Sequence, residues 1–183
     1  HRSKLKTFKE HVGILFIGDS LDRNAVAYAC EYFGAALHPF LSSEGGWLKY
    51  QFCEIPKLNL TLANFFNYGV FDPPYWKFAY VDESSQFPPN VHNHSYSHIE
   101  HDTKCFNRIN FGKDPDLVVI QSYLWDLSRE WLLSGQSLDF EPASDFVEVW
   151  LSKVAKFIDV VQHRFPSAKY VWRTAPFPKP DIG

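Results

Sequence analysis

Uncharged apolar runs alternate with amphipathic stretches along the chain, and this alternation predicts strands and helices in turn. The clearest strand-like runs are 12–17 and 117–120, which carry no charge and are rich in β-branched residues. Such runs are typical of strands buried on both faces of a parallel sheet. Weaker strand patterns cover 35–41, 50–55, 58–66 and 168–172.

Helical periodicity fills the intervals between several of these runs. Apolar residues spaced by three and four positions predict helices over 21–33 and 143–165, and a weaker pattern covers 99–109. Strands that alternate with helices predict right-handed βαβ units and a three-layer α/β fold with a parallel sheet. Between 67 and 98 the pattern dissolves into a long loop rich in proline and aromatic residues.

Polar residues follow three of the predicted strands directly, at 18–20, 121–123 and 173–174. In an open α/β sheet, ligands bind beyond the carboxyl ends of the strands. Parallel strands bring those ends side by side, so we expect these three segments to line one cleft.

The first of these segments is Gly18-Asp19-Ser20, a turn between a buried strand and a helix. Gly18 can adopt backbone angles that other residues resist, and Asp19 or Ser20 can cap the helix. A serine here lies near the amides of a helix N-terminus, which stabilise a developing oxyanion. The same triplet is also ordinary turn and capping chemistry, so a catalytic and a structural interpretation both stand.

Composition narrows the classes of partner. A hydrophobic content of 45% supplies a core for one domain over the 183 residues. The net charge of -3, with no basic cluster, argues against a nucleic-acid partner. No apolar run reaches the length of a membrane span.

Because the chain starts at His1 and stops just after a predicted strand, we expect a fragment that is incomplete at its C-terminus.

Three cysteines match no zinc-ligand spacing. Cys30 lies on the predicted buried face of the first helix, where we expect a free thiol, and a bridge between Cys53 and Cys105 is an open alternative. Glycosylation sequons at Asn59 and Asn93 shift the expected compartment slightly toward the secretory pathway or the cell exterior.

Two blocks carry a family resemblance. Segment 115–129 reads PDLVVIQSYLWDLSR and segment 18–23 reads GDSLDR. They resemble the P-D-L-V-I-I-N-S-x-L-W-D-L-S-R and G-D-S-I-Q-R segments of the PC-esterase branch of the GDSL/SGNH hydrolase superfamily. Segment 170–176 falls where that family has its next strand. Plant trichome birefringence-like acetyltransferases share the first block and are more distant at the second.

The resemblance implies a single SGNH-like α/β/α domain over 1–183 that catalyses acyl transfer. It makes Ser20 the nucleophile, and it places the oxyanion hole at Ser20, Gly69 and Ser122. Gly69 is also interpretable as an ordinary turn glycine. The motif residues that the resemblance carries over are Gly18, Asp19, Trp125 and Asp126.

The chain departs from the superfamily at two places. Where the third block supplies an asparagine to the oxyanion hole, this chain has Gln121-Ser122, and either side chain could substitute or could serve local hydrogen bonding only. The catalytic histidine of a D-x-x-H element is absent after Asp181. We therefore expect this fragment to be inactive by itself, with the base beyond it or missing.

Several other residues have competing interpretations. Histidines 92, 94, 98 and 101 could bind zinc, but loop chemistry explains them better, so we expect no metal. His38 could approach Ser20.

Trp125 and Trp131 fit core or lid packing better than sugar stacking. Asp126 and Arg129 fit a local polar pair better than a role in substrate orientation.

Our leading hypothesis is a serine esterase or O-acyltransferase that needs no cofactor and acts on a small-molecule or glycan acyl ester. The alternative is a catalytically inactive domain of the same fold that binds or scaffolds through its strand-end cleft. A flavodoxin-like nucleotide binder is weaker, because the turn directly after the first strand has only one glycine, Gly18, and so lacks a glycine-rich phosphate fingerprint.

Overall fold

The computed structural model of the chain describes residues 8–39, 50–71, 106–137 and 139–174. Within these ranges six strands form one sheet in the order β2-β3-β4-β1-β5-β6. The strands are β1 (Val12–Gly18), β2 (His38–Pro39), β3 (Gln51–Ile55), β4 (Leu60–Phe66), β5 (Leu117–Ile120) and β6 (Lys169–Trp172).

The sheet is mixed, which corrects the predicted parallel sheet. Strands β4, β1, β5 and β6 are parallel, whereas β3 runs antiparallel to β4 and to β2. The cause is the short connection from β3 to β4. It consists of a 3-10 turn at Pro56–Leu58 and the left-handed Asn59, and so short a link can join only antiparallel strands.

Four helices belong to the described ranges: α1 (Ser20–Tyr32), α2 (Phe106–Ile109), α3 (Leu124–Leu133) and α4 (Phe146–Arg164). The helices predicted over 21–33 and 143–165 are confirmed. Of the predicted helix at 99–109 only α2 falls within the described residues, and residues 72–98 of the loop predicted at 67–98 lie outside them. Of the strand predicted at 35–41, the described residues form only β2. Residues 40 and 41 lie outside the described residues. Helix α3 was not predicted.

Alternate residues of the central strands face two separate cores. On one face Ile14, Phe16 and Leu62 pack with Val26 and Cys30 of α1. On the other face the central strands pack against α4, through Leu15, Ile17, Ala63, Phe65, Val118, Ile120, Val154, Phe157 and Val161. The sheet therefore lies between helices, and the predicted α/β class is confirmed.

A disulfide joins Cys30 of α1 to Cys53 of β3. The prediction of a free Cys30 thiol is therefore wrong, and so is the pairing of Cys53 with Cys105, which itself lies outside the described residues. Cys53 is paired with Leu62 of β4 and faces the same core beneath α1, where it meets Cys30.

Candidate active site

The carboxyl ends of four neighbouring parallel strands meet at one edge of the sheet. Gly18 at the end of β1 is paired with Phe66 at the end of β4, and Ile17 is paired with Ile120 of β5. Ile120 is paired in turn with Trp172 of β6. The three predicted strand-end segments therefore share one edge, together with a fourth segment, 67–71, that follows β4.

Ser20 is the first residue of α1 and is partly exposed. Asp19 is the cap, because its Oδ1 accepts a hydrogen bond of 2.8 Å from the amide of Leu21. Among the described residues, none hydrogen-bonds to the Ser20 hydroxyl or to its amide. The serine is thus held at a helix N-terminus with both polar groups free for a ligand.

Asp22 is a buried carboxylate on the first turn of the same helix. Only 1% of the residue is exposed, and one oxygen accepts from Nε of Arg173 at 2.8 Å. With its amide nitrogen turned toward the carboxylates, Gln121 donates to Oδ2 of Asp19 at 3.1 Å and to Oδ2 of Asp22 at 3.2 Å. Side chains at the ends of β5 and β6 therefore hold the turn that carries Ser20.

Burial and charge oppose each other at Asp22. Loss of water raises the pKa of the Asp22 carboxyl above its usual 3.8, and the Arg173 guanidinium partly offsets this rise. A Cβ on Gly18 would lie 1.8 Å from Oδ2 of Asp22, so a glycine is required where β1 meets this carboxylate. Our sequence reading missed Asp22, although a charged residue on the first turn, near a strand end rich in polar residues, was a visible signal.

Asp126, on α3, is another buried carboxylate at this edge, and 1% of it is exposed. Its Oδ2 accepts from the Ser122 hydroxyl at 2.6 Å and from Nε1 of Trp150 at 3.0 Å. Its Oδ1 accepts from the amides of Val70 at 2.7 Å and Phe71 at 3.4 Å. Burial raises the pKa of this carboxyl, while the four donors act in the opposite direction.

Arg129 is not the partner of Asp126. The guanidinium forms an ion pair with Glu130 and lies over the ring of Phe71, 5.1 Å from its centroid. The predicted local pair between Asp126 and Arg129 is therefore wrong. The acceptor sites of Asp126 are filled by donors from other parts of the chain.

Gly69 lies in the segment after β4 and is buried with a φ of 98°, in the left-handed region that favours glycine. A Cβ at this position would lie 2.2 Å from Oδ1 of Asp126. The segment starts beside the Ser20 turn, since the Asn67 amide donates to the Gly18 carbonyl at 2.7 Å. Backbone angle and close contact both require glycine here, which an ordinary surface turn does not.

Ser122 follows β5 and is buried. Its hydroxyl carries one proton, which it donates to Asp126. Because the hydroxyl proton is already donated, only the backbone amide of Ser122 is left to bind an oxyanion. This role of Ser122 in an oxyanion hole stays a prediction. Gln121 serves the Asp19 and Asp22 carboxylates instead.

Two further side chains at this edge are buried or packed. Trp125 is partly buried against the rings of Phe66 and Tyr68, with centroids at 6.2 Å and 5.2 Å, which fits the packing interpretation. The side chain of Asn67 is buried, and neither polar atom of its amide has a hydrogen-bond partner within the described part of the chain. Our sequence reading did not single out Asn67.

The histidines within the described ranges do not contact Ser20. His38 is on β2, and two strands separate β2 from β1, which places it about 14 Å away across the sheet. His38 therefore does not approach Ser20. The histidines at 92, 94, 98 and 101 lie outside the described residues. Within those residues no group of three or more histidine, cysteine or acidic side chains could hold a metal ion.

The geometry thus defines an α/β protein with a serine at a helix N-terminus and three buried carboxylates, Asp19, Asp22 and Asp126, at the same edge of the sheet. Comparison with protein-family models, with curated proteins and with solved structures finds no match to the chain. None of the helices in the described ranges is long and apolar enough to cross a membrane.

Proposed function

We propose that this protein is an SGNH-like serine esterase or O-acyltransferase of the PC-esterase branch, with Ser20 as its nucleophile. The observation that carries the proposal is the position of Ser20. It begins α1 at the carboxyl edge of the sheet, with a hydroxyl and an amide that no described group occupies. The Gly69 amide, in the neighbouring segment, likewise donates to no acceptor among the described residues.

In the proposed reaction, Oγ of Ser20 attacks the carbonyl carbon of an acyl ester, and its proton passes to a general base. The amides of Ser20 and Gly69 donate to the oxyanion that forms. The tetrahedral intermediate then collapses, the alcohol leaves with a proton from the base, and an acyl-enzyme remains. Water or an acceptor hydroxyl removes the acyl group by the reverse sequence.

The base in this scheme is a histidine outside the described residues. His11 hydrogen-bonds to Asn59, Thr61 and Asn110 around the amino end of β1, which is the opposite edge of the sheet. His163 is exposed near the end of α4. Neither is hydrogen-bonded to Ser20.

A glycan acyl ester in the secretory pathway is the substrate class that we favour. The Cys30–Cys53 disulfide supports this setting, because disulfides persist in oxidising compartments and are rare in the cytosol. The partly exposed position of Ser20 at the strand-end edge is compatible with a bulky acceptor such as a sugar hydroxyl.

Hydrolysis of p-nitrophenyl acetate by the full-length protein tests the proposal. Ser20→Ala is expected to lower kcat at least about a thousandfold, since an acyl-enzyme can no longer form. Ser134→Ala is the matched control, because this exposed serine caps α3 and donates to the Trp131 carbonyl. Equal rates for wild type and Ser20→Ala would contradict the proposal.

The competing function is a non-catalytic binding or scaffold domain. One observation favours it, namely that no described residue acts as a base for Ser20. A full-length protein without Ser20-dependent turnover of any ester would support this alternative.

A further inference from the structure

The Asp126 carboxylate joins three parts of the fold at the strand-end edge. Ser122 belongs to the turn between β5 and α3, Trp150 belongs to α4, and Val70 with Phe71 belongs to the segment after β4. The partners on α4 and after β4 are distant in sequence, at separations of 24, 56 and 55 residues. The carboxylate is therefore a tertiary anchor for segment 67–71.

Only a carboxylate satisfies this arrangement. The hydroxyl, the indole and the two amides are all neutral donors, and they converge on two oxygens. A carboxylate has four acceptor positions, whereas the amide of an asparagine offers one acceptor oxygen and an NH2 group that would face donors. The conservative change Asp126→Asn thus leaves buried donors without a partner.

Gly69 lies between the residue that is bonded to Asp126 and the residue that is bonded to the Ser20 turn. The Val70 amide, one residue along the chain, is bonded to Asp126 at 2.7 Å, and the Gly69 backbone lies directly against the same oxygen. On its other side the segment is bonded to Gly18 through the amide of Asn67. The Gly69 amide is therefore fixed from both ends relative to Ser20.

We propose that Asp126 is a positioning residue of the ester site. Through the amides of Val70 and Phe71, its carboxylate holds the Gly69 amide where the oxyanion of Ser20 acyl transfer forms. This inference rests on the proposed function. It explains chemically why an aspartate stands in the Leu-Trp-Asp-Leu block, for which the sequence favoured a local pair with Arg129 over substrate orientation.

The test measures kcat and KM for p-nitrophenyl acetate in the full-length protein, together with hydrogen exchange of the Val70 and Phe71 amides. For Asp126→Ala, which removes both oxygens, we expect exchange of both amides at least about tenfold faster. We also expect kcat about 10- to 100-fold lower with KM within about twofold, because a misplaced donor weakens transition-state stabilisation more than ground-state binding.

Two control variants separate positioning from general stability. Asp159→Ala makes the same chemical change at an exposed site on α4 and should retain wild-type kcat. Gly13→Ala destabilises the opposite edge of the sheet, because its Cβ would lie 2.5 Å from the Asn110 side chain. It should retain kcat as well.

Wild-type kcat in Asp126→Ala, or an equal loss of kcat in Gly13→Ala, would overturn the inference. If Asp126→Ala does not fold, Gly69→Ala takes its place. This variant displaces the segment from an intact carboxylate and should lower kcat at least about tenfold, and an unchanged kcat would overturn the inference. Absence of Ser20-dependent turnover in the wild-type protein would be a different failure, because it would remove the proposed function and the inference together.

Discussion

Three carboxylates are buried at the same edge of the sheet, and two of them are each placed against a glycine. Asp22 lies against Gly18, and Asp126 lies against Gly69. Asp22 is bonded to a guanidinium, whereas the four described donors of Asp126 are all neutral. Both carboxylates are removed from water. A cation stabilises Asp22, whereas neutral donors stabilise Asp126.

Because their partners differ, Asp22 and Asp126 stabilise different parts of the strand-end edge. The Asp22 pair with Arg173 connects α1 to the end of β6, so its energy depends on a charge whose side chain is 32% exposed. The donors of Asp126 include backbone amides, so that carboxylate determines the path of segment 67–71. We conclude that the first carboxylate holds the serine turn and the second holds the segment opposite it.

The largest expected effect on stability comes from removing the cation of the first carboxylate. Arg173→Met leaves Asp22 buried without its charged partner and should lower the free energy of unfolding by about 3 kcal/mol. Urea denaturation measures it, with Arg108→Met on the exposed face of α2 as control. A loss no greater than that of the control would mean that Gln121 alone supports Asp22.

Alanine at the glycine beside the second carboxylate should have the next largest effect. Gly69→Ala combines a left-handed φ with a Cβ 2.2 Å from Oδ1 of Asp126. Gly135→Ala has a φ of 78° with nothing within 4 Å, so it measures the backbone strain alone. We expect Gly69→Ala to be about 2 kcal/mol more destabilising than Gly135→Ala in thermal unfolding. Equal losses would show that the contact with Asp126 costs nothing.

A single donor to Asp126 should contribute less. Trp150→Phe removes the indole bond to Oδ2 and should cost about 1.5 kcal/mol, a typical value for a hydrogen bond to a charged group. Trp131→Phe is matched to it, since that indole donates to the Ser137 carbonyl at an exposed site. If the two substitutions cost the same in urea, Asp126 would not depend on Trp150.

The smallest effect is a pH dependence of stability. Burial raises the folded-state pKa of Asp126 above 3.8, so the folded protein binds more protons than the unfolded chain just above that pH. Stability from this group is therefore present at low pH and is lost as pH rises through the raised pKa. We expect Asp126→Asn to flatten this decline, measured by urea denaturation across the acidic pH range. A decline that persists in Asp126→Asn would assign it to another group.

Local patterns were sufficient for the central elements of the fold. The uncharged runs predicted β1 and β5, and helical spacing predicted α1 and α4, because burial on known faces imposes these periods. The direction of β3 was missed because it depends on a turn only a few residues long. Helix α3 was missed because its apolar residues were interpreted as part of a motif block.

The location of the candidate site could be predicted from the sequence, but the contacts within it could not. Parallel strand ends placed Ser20, Gln121 and Arg173 at one edge from sequence alone. The partners of the carboxylates were not predictable, because Asp22 meets Arg173 across 151 residues and Asp126 meets Val70 across 56. Such pairs leave no periodic trace, and the same is true of the Cys30–Cys53 disulfide, which joins α1 to β3 across 23 residues.

The most direct test of the central claim is to locate the serine that a fluorophosphonate probe modifies in the full-length protein. Mass spectrometry of the labelled peptides should find the adduct on Ser20, with labelling lost in Ser20→Ala and retained in Ser134→Ala. An adduct on another residue, or labelling of Ser20→Ala equal to wild type, would contradict the assignment of Ser20 as the nucleophile.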